Sequence, residues 1–228
     1  MEVLKKIAEE FFGNEFQCKV YSNGITLAAK DNSRGFCFGL ISYPGSFRVR
    51  EKIYAMKRFE EVEFILGPLL KKYEISQGDF EQGVYRVDFI GTIRKGILIK
   101  EIPGVDDSFI EDMTRFDVES ELQIRMLLSV LKKAILFLED EFINRYQTLQ
   151  QVYEAQQQMT PAERGQFFMD PGPIRFLAIE TLCNATKELD SIFDETLNDY
   201  EEIEKELPGM FKDHYLVALE LLRYFKAR

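Results

Sequence analysis

The residues best suited to covalent or metal chemistry in this 228-residue chain are few: one histidine, His214, and three cysteines, Cys18, Cys37 and Cys183. A nucleophilic site of the Ser-His-Asp or Cys-His kind needs an imidazole to take the proton, so it would have to be built on His214. His214 stands beside Asp213 in a stretch where Phe211, Tyr215, Ala218, Leu219, Leu222 and Phe225 recur at helical spacing, which predicts a helix-surface or capping role. An odd cysteine count, the lack of a C-x-x-C pair and a single histidine exclude the usual zinc ligand sets. Cys37 lies in Gly35-Phe36-Cys37-Phe38-Gly39, and the other two also have apolar neighbours, which predicts buried thiols acting as small hydrophobes. The sequence contains no G-x-x-x-x-G-K-[ST], G-x-G-x-x-G or G-x-S-x-G pattern, so the common phosphate-binding and nucleophile-elbow motifs are absent.

Carboxylates are the remaining reactive group, and they fall into three clusters. Asp106, Asp107, Glu111 and Asp112 follow a Pro103-Gly104 turn and precede a helical pattern. Acids there complement the positive end of a helix, and they are also the cluster that an enzyme with a carboxylate or divalent-metal site would use. Glu139-Asp140-Glu141 fall on polar positions of a heptad pattern, as a solvated face would. The densest cluster is residues 186–206, where Glu188, Asp190, Asp194, Glu195, Asp199, Glu201, Glu202, Glu204 and Glu206 face only Lys187 and Lys205.

Like charges four apart, such as Asp190 with Asp194 and Glu195 with Asp199, destabilise an isolated helix by about 0.2 to 0.5 kcal/mol per pair. A face built this way meets either water or a basic partner, which it would also steer inwards. Asp194, Glu195, Asp199, Glu201, Glu202 and Glu204 are the residues expected to carry such a contact. Direct nucleic-acid binding is disfavoured, because neutralising phosphates needs a basic surface. Phe167-Phe168-Met169, set between helix breakers, can tuck beneath the end of a helical hairpin or stay exposed as a contact loop.

The elements that must position these residues differ between the two halves. Residues 1 to 110 hold 16 Lys+Arg against 16 Asp+Glu and 11 of the 14 glycines; residues 111 to 228 hold 13 against 23, so the net charge of −10 is C-terminal. Glycine marks tight turns and disfavours helix interiors, so the first half is read as turn-rich and the second as helical. Val3, Leu4, Ile7 and Phe11 predict a first helix, ended by Gly13-Asn14. The runs 16–21 and 25–30 flank Ser22-Asn23-Gly24 and predict a hairpin with a type I′ or related tight turn. The run 35–43, apolar almost throughout, predicts a central strand buried on both faces and ended by Pro44-Gly45. Phe47, Val49 and Ile53 predict a fourth strand, 57–73 a helix kinked at Gly67-Pro68, and 84–90 and 92–99 two more strands.

In the second half, Leu128, Ile135, Phe142 and Leu149 fall seven apart, with Leu131, Leu138 and Val152 interleaved and Arg145 as the exception. That predicts a long helix over about 117–158 with a polar, glutamine-rich tip, paired antiparallel with a second helix over about 174–207. Thr160-Pro161-Ala162-Glu163 matches an N-cap, N1 proline and N3 glutamate, and 211–225 predicts a C-terminal helix.

The expected fold class is α+β: an N-terminal antiparallel sheet with one or two packed helices, then a C-terminal helical bundle with a long helical hairpin, as modules 1–110 and 111–228 or one continuous domain. Apolar residues make up 46%, charged residues 30%, with 20 Phe and 10 Tyr, which suits a folded core without staples. Charges on both sides of the apolar stripe in 1–12, and the lack of any long apolar run, predict a cytoplasmic protein without membrane insertion. The element order of the first hundred residues resembles that of secretion chaperones and related small acidic proteins, a resemblance that carries no site residues. The expected function is a non-enzymatic module, without cofactor, that binds a basic protein in the manner of an immunity protein or secretion chaperone. The alternatives are an enzyme built on Asp106, Asp107, Glu111 and Asp112, and a component that forms homo-oligomers through the long helix.

Overall fold

A computed structural model describes residues 2–75, 89–105, 116–117, 119–184 and 188–228. Their contacts form two compact units, the first within Met1–Arg58 and Gly78–Arg145, the second within Phe59–Gln77 and Tyr146–Arg228. This grouping cuts across the boundary expected at residue 110.

The first unit is the α+β part. Helix α1 (Glu2–Phe12) buries Leu4, Ile7, Ala8 and Phe12 on one side and packs on strand β1 (Phe16–Tyr21). Strands β2 (Gly24–Ala29), β3 (Arg34–Tyr43), β4 (Ser46–Lys57) and β5 (Ile93–Leu98) follow in spatial as well as sequence order, each antiparallel to the last, and the short β6 (Phe116–Asp117) pairs with the start of β4. Residues 35–40 of β3 are all buried, as a central strand covered on both faces requires.

The hairpin at 21–24 is present, but Tyr21 pairs with Gly24, so the turn residues are Ser22-Asn23 and neither has a positive φ. Gly24 serves a different purpose from the one its neighbour Asn23 suggests. It lies opposite Gly39, and a Cβ there would stand 3.0 Å from the Phe38 carbonyl oxygen, so the glycine lets β2 and β3 approach beside the register shift at Phe38/Leu40. Pro44-Gly45 links β3 to β4, with Gly45 at φ 72°, the left-handed position of a type II turn. Of the expected strand 84–90, residues 84–88 lie outside the described residues.

Helix α2 (Glu60–Lys72) runs through Gly67-Pro68 and belongs to the second unit. The expected helix over 117–158 is two shorter ones. Helix α3 (Glu121–Glu141), capped by Ser120, packs on α1, β4 and β6 within the first unit. It ends at Glu141, where Phe142 and Ile143, 2% and 6% exposed, lead into a short 3-10 turn at Ile143–Arg145. Thr148 then caps helix α4 (Leu149–Gln156), accepting from the Gln151 N–H while the Gln151 side chain accepts from the Thr148 N–H. The glutamine-rich tip is accordingly docked: Val152 and Gln156 are buried, and Gln156 and Gln157 donate to Glu180 at 3.2 and 2.7 Å.

The expected helix over 174–207 also divides, into α6 (Gly172–Cys183) and α7 (Leu189–Glu206), preceded by the short α5 (Pro161–Phe167). Helix α6 is buried nearly all round, while α7 is amphipathic and buries only Ile192, Phe193 and Tyr200. The helical hairpin is formed by α7 with α8 (Lys212–Lys226), running antiparallel across a turn with Gly209 at φ 85°. No described helix is long and apolar enough to cross a membrane.

Candidate functional site

Three local signals build a cleft in the second unit. Thr160 caps α5 through the expected box: it accepts from the Glu163 N–H at 3.3 Å, and the Glu163 carboxylate accepts from the Thr160 N–H at 2.8 Å. That bond holds the Glu163 carboxyl below its ordinary pKa. The box fixes where Pro161, Arg164 and Gly165 face. The helix breakers around 170–173 start α6, which contributes Gly172, Pro173 and Phe176, and α7 contributes Glu195, Thr196 and Asp199. These residues and Phe168 line a cleft of about 210 Å³.

One wall of the cleft is aromatic. Phe168 and Phe176 meet edge to face with centroids 6.4 Å apart, and the Arg164 guanidinium lies 4.8 Å from the Phe176 ring centre. The buried Nε of Arg164 has no hydrogen-bond partner among the described residues. The part of the lining that α7 supplies is acidic. Glu195 and Asp199, one turn apart on α7, are exposed and have no hydrogen bond or ion pair among the described residues.

The acids of α7 thus separate into two flanks. On the hairpin flank, Asp190 pairs with Lys226, Glu201 accepts from the Tyr215 hydroxyl at 2.9 Å, and Glu204 accepts from the Gly209 N–H at 2.8 Å. Asp194 and Glu202 are exposed but do not line the cleft. Of the six acids singled out by sequence, the structure brings Glu195 and Asp199 to a cavity and engages Glu201 and Glu204 within the hairpin.

Phe167, Phe168 and Met169 are turned inward, 8%, 1% and 1% exposed, so they form no surface patch. Phe167 stacks edge to face with Tyr146 and with Phe168, and Phe168 alone lines the cleft. What holds this loop is a residue the sequence reading passed over. Arg175, fully buried on α6, donates to the Met169 carbonyl at 3.1 Å and to that of Asp170, and its Nε and Nη2 donate to the two carboxylate oxygens of Glu63 on α2, both at 2.9 Å. A lone charge in Pro173-Ile174-Arg175-Phe176-Leu177, an apolar run with no polar face, is the signal that could have found it.

His214 is half-buried, its ring against Tyr200 and Phe211 with centroids 6.2 and 5.2 Å away, and burial lowers its pKa. Among the described residues, no hydrogen bond places a nucleophile beside it. Burial pushes the Cys18 and Cys37 thiols up to about 12 and raises Cys183, so none carries the depressed pKa of a reactive thiol. Among the described residues, no group of three or more His, Cys, Asp or Glu could hold a metal ion. Asp106, Asp107, Glu111 and Asp112 lie outside the described residues. No family model matches the chain, and no curated protein or solved structure matches it either.

Proposed function

We propose that this protein is a non-enzymatic binding module whose α5–α6–α7 cleft takes a basic segment of a protein partner. The observation that carries the reading is the pair Glu195 and Asp199, two carboxylates with no hydrogen bond or ion pair among the described residues, in the lining of an aromatic cleft. Carboxylates left without internal partners retain their full attraction for an incoming cation, and a cleft with low-dielectric walls focuses that field. The aromatic wall adds a face on which an aliphatic stem or a planar cation can lie. The excess of acids over bases in residues 111–228 extends the attraction beyond the contact itself.

Titration calorimetry of the full chain with hexa-arginine and hexa-lysine peptides at rising salt tests this. Binding that weakens with salt and falls at least tenfold in Glu195→Gln/Asp199→Asn is expected, whereas Glu201→Gln should change it little. Equal loss in both variants would place the contact on the hairpin flank instead, and absence of binding at low salt would remove the reading.

A second reading, self-association through α3, has an observation of its own. Leu122, Met126 and Leu136 are 72%, 50% and 57% exposed, and their spacing puts them on one stripe of that helix. Light scattering across concentrations should show dimers that Met126→Glu disperses; a monomer at every concentration removes this reading.

A further inference from the structure

Taking the cleft as the binding site proposed above, we infer that its natural occupant is an arginine side chain and that Arg164 acts as an exchangeable placeholder for it. Three features of Arg164 support the exchange. Its guanidinium lies 4.8 Å from the Phe176 centroid, so this ring face already accepts a planar cation. Its Nε is buried without a hydrogen-bond partner among the described residues, so the contact satisfies the guanidinium only in part. It also forms no ion pair with Glu195 or Asp199, although all three line the same cleft.

A side chain held, among the described residues, by one ring and by no carboxylate is weakly committed. An incoming arginine could stack on Phe176 and offer its fork of donors to the two carboxylates, which a lysine's compact ammonium cannot match. Glu195 and Asp199 stand one turn apart on α7, a spacing that lets two carboxylates meet one guanidinium. While Arg164 covers the ring, only the fraction of molecules in which it has swung away binds at full strength, which lowers the apparent affinity. A contact of this type at a half-exposed site corresponds to about a two- to fivefold penalty.

Three variants titrated with hexa-arginine and hexa-lysine decide the matter, each checked for native circular dichroism. Arg164→Gln should tighten hexa-arginine binding about two- to fivefold, beyond the gain in Lys205→Gln, which makes the same change in net charge on an exposed part of α7. Phe176→Leu should narrow the preference for arginine over lysine by weakening hexa-arginine more than hexa-lysine, the preference that remains coming from the fork on Glu195 and Asp199. Equal effects of Arg164→Gln and Lys205→Gln, or weaker binding in Arg164→Gln, would overturn the placeholder and leave the acidic cleft standing. No preference for arginine in the native protein would overturn the choice of occupant. Failure of both peptides to bind native protein would overturn the cleft reading, and the placeholder with it.

Discussion

Arg175 donates two hydrogen bonds to the Glu63 carboxylate, with the two side chains only 0% and 1% exposed. Removing one member of a fully buried pair strands the other charge and costs about 3 to 5 kcal/mol, whereas replacing both with apolar groups of similar size is often far milder. Urea unfolding should therefore find Glu63→Gln strongly destabilised. Glu63→Leu/Arg175→Met should be much less so than the two single changes together, apart from the bonds lost to the 169 and 170 carbonyls. The second prediction at this scale concerns His214, whose pKa burial holds below the ordinary 6.5 while Asp213 and Asp170 pull it back. Because the folded value is the lower one, the unfolded chain takes up the proton first as pH falls. The stability contributed by the neutral ring is complete above about 6.5 and is lost as pH falls below it. Melting temperatures between pH 7.5 and 5.5 should drop further for native protein than for His214→Gln. The sequence showed that His214 sits on an amphipathic helix; it could not show that Tyr200 and Phe211 enclose the ring, because that needs two helices to meet.

Helix boundaries in the second half turn on a conflict between two signals. The heptad pattern continues past Glu141, with Phe142 and Ile143 as apolar as the adjacent pairs Leu127-Leu128 and Ala134-Ile135 that α3 buries, while a capping box at Thr148-Gln151 marks a new helix start. The chain resolves this with a 3-10 turn and a fresh start at the Thr148-Gln151 capping box. The box was legible in the sequence and a local signal, but the longer periodicity extended across it. Thr148→Ala should cost about 0.5 to 2 kcal/mol by urea denaturation, since the Gln151 N–H then loses its acceptor. An uninterrupted helix over 117–158 would not respond, because no orphan N–H would exist there. The same contrast explains the acidic helix: spacing identified one face rich in carboxylates, whereas its division into a hairpin flank and a cleft flank depends on α8 and α5, which lie on either side of it only after folding. The strands fared better, because the partners in β1–β2 and β3–β4 are adjacent in sequence and the links between them are marked by Ser22-Asn23 and Pro44-Gly45.

For the whole molecule, a net charge of −10 makes association with basic partners salt-sensitive whatever the local contact, so salt dependence alone does not locate a site. Location requires that one acid pair matter more than its neighbours on the same helix. Net charge and its C-terminal bias were readable from composition, and the α+β class from periodicity, but the cleft was not: its walls come from three helices whose contacts arise only in the folded chain. The most direct measurement is hydrogen exchange of the full chain at low salt, with and without hexa-arginine. The account predicts new protection within 161–176 and 192–200, absent in Glu195→Gln/Asp199→Asn and absent from α3 in either protein. Protection confined to α3 or α8, or unchanged protection in the double variant, would contradict it.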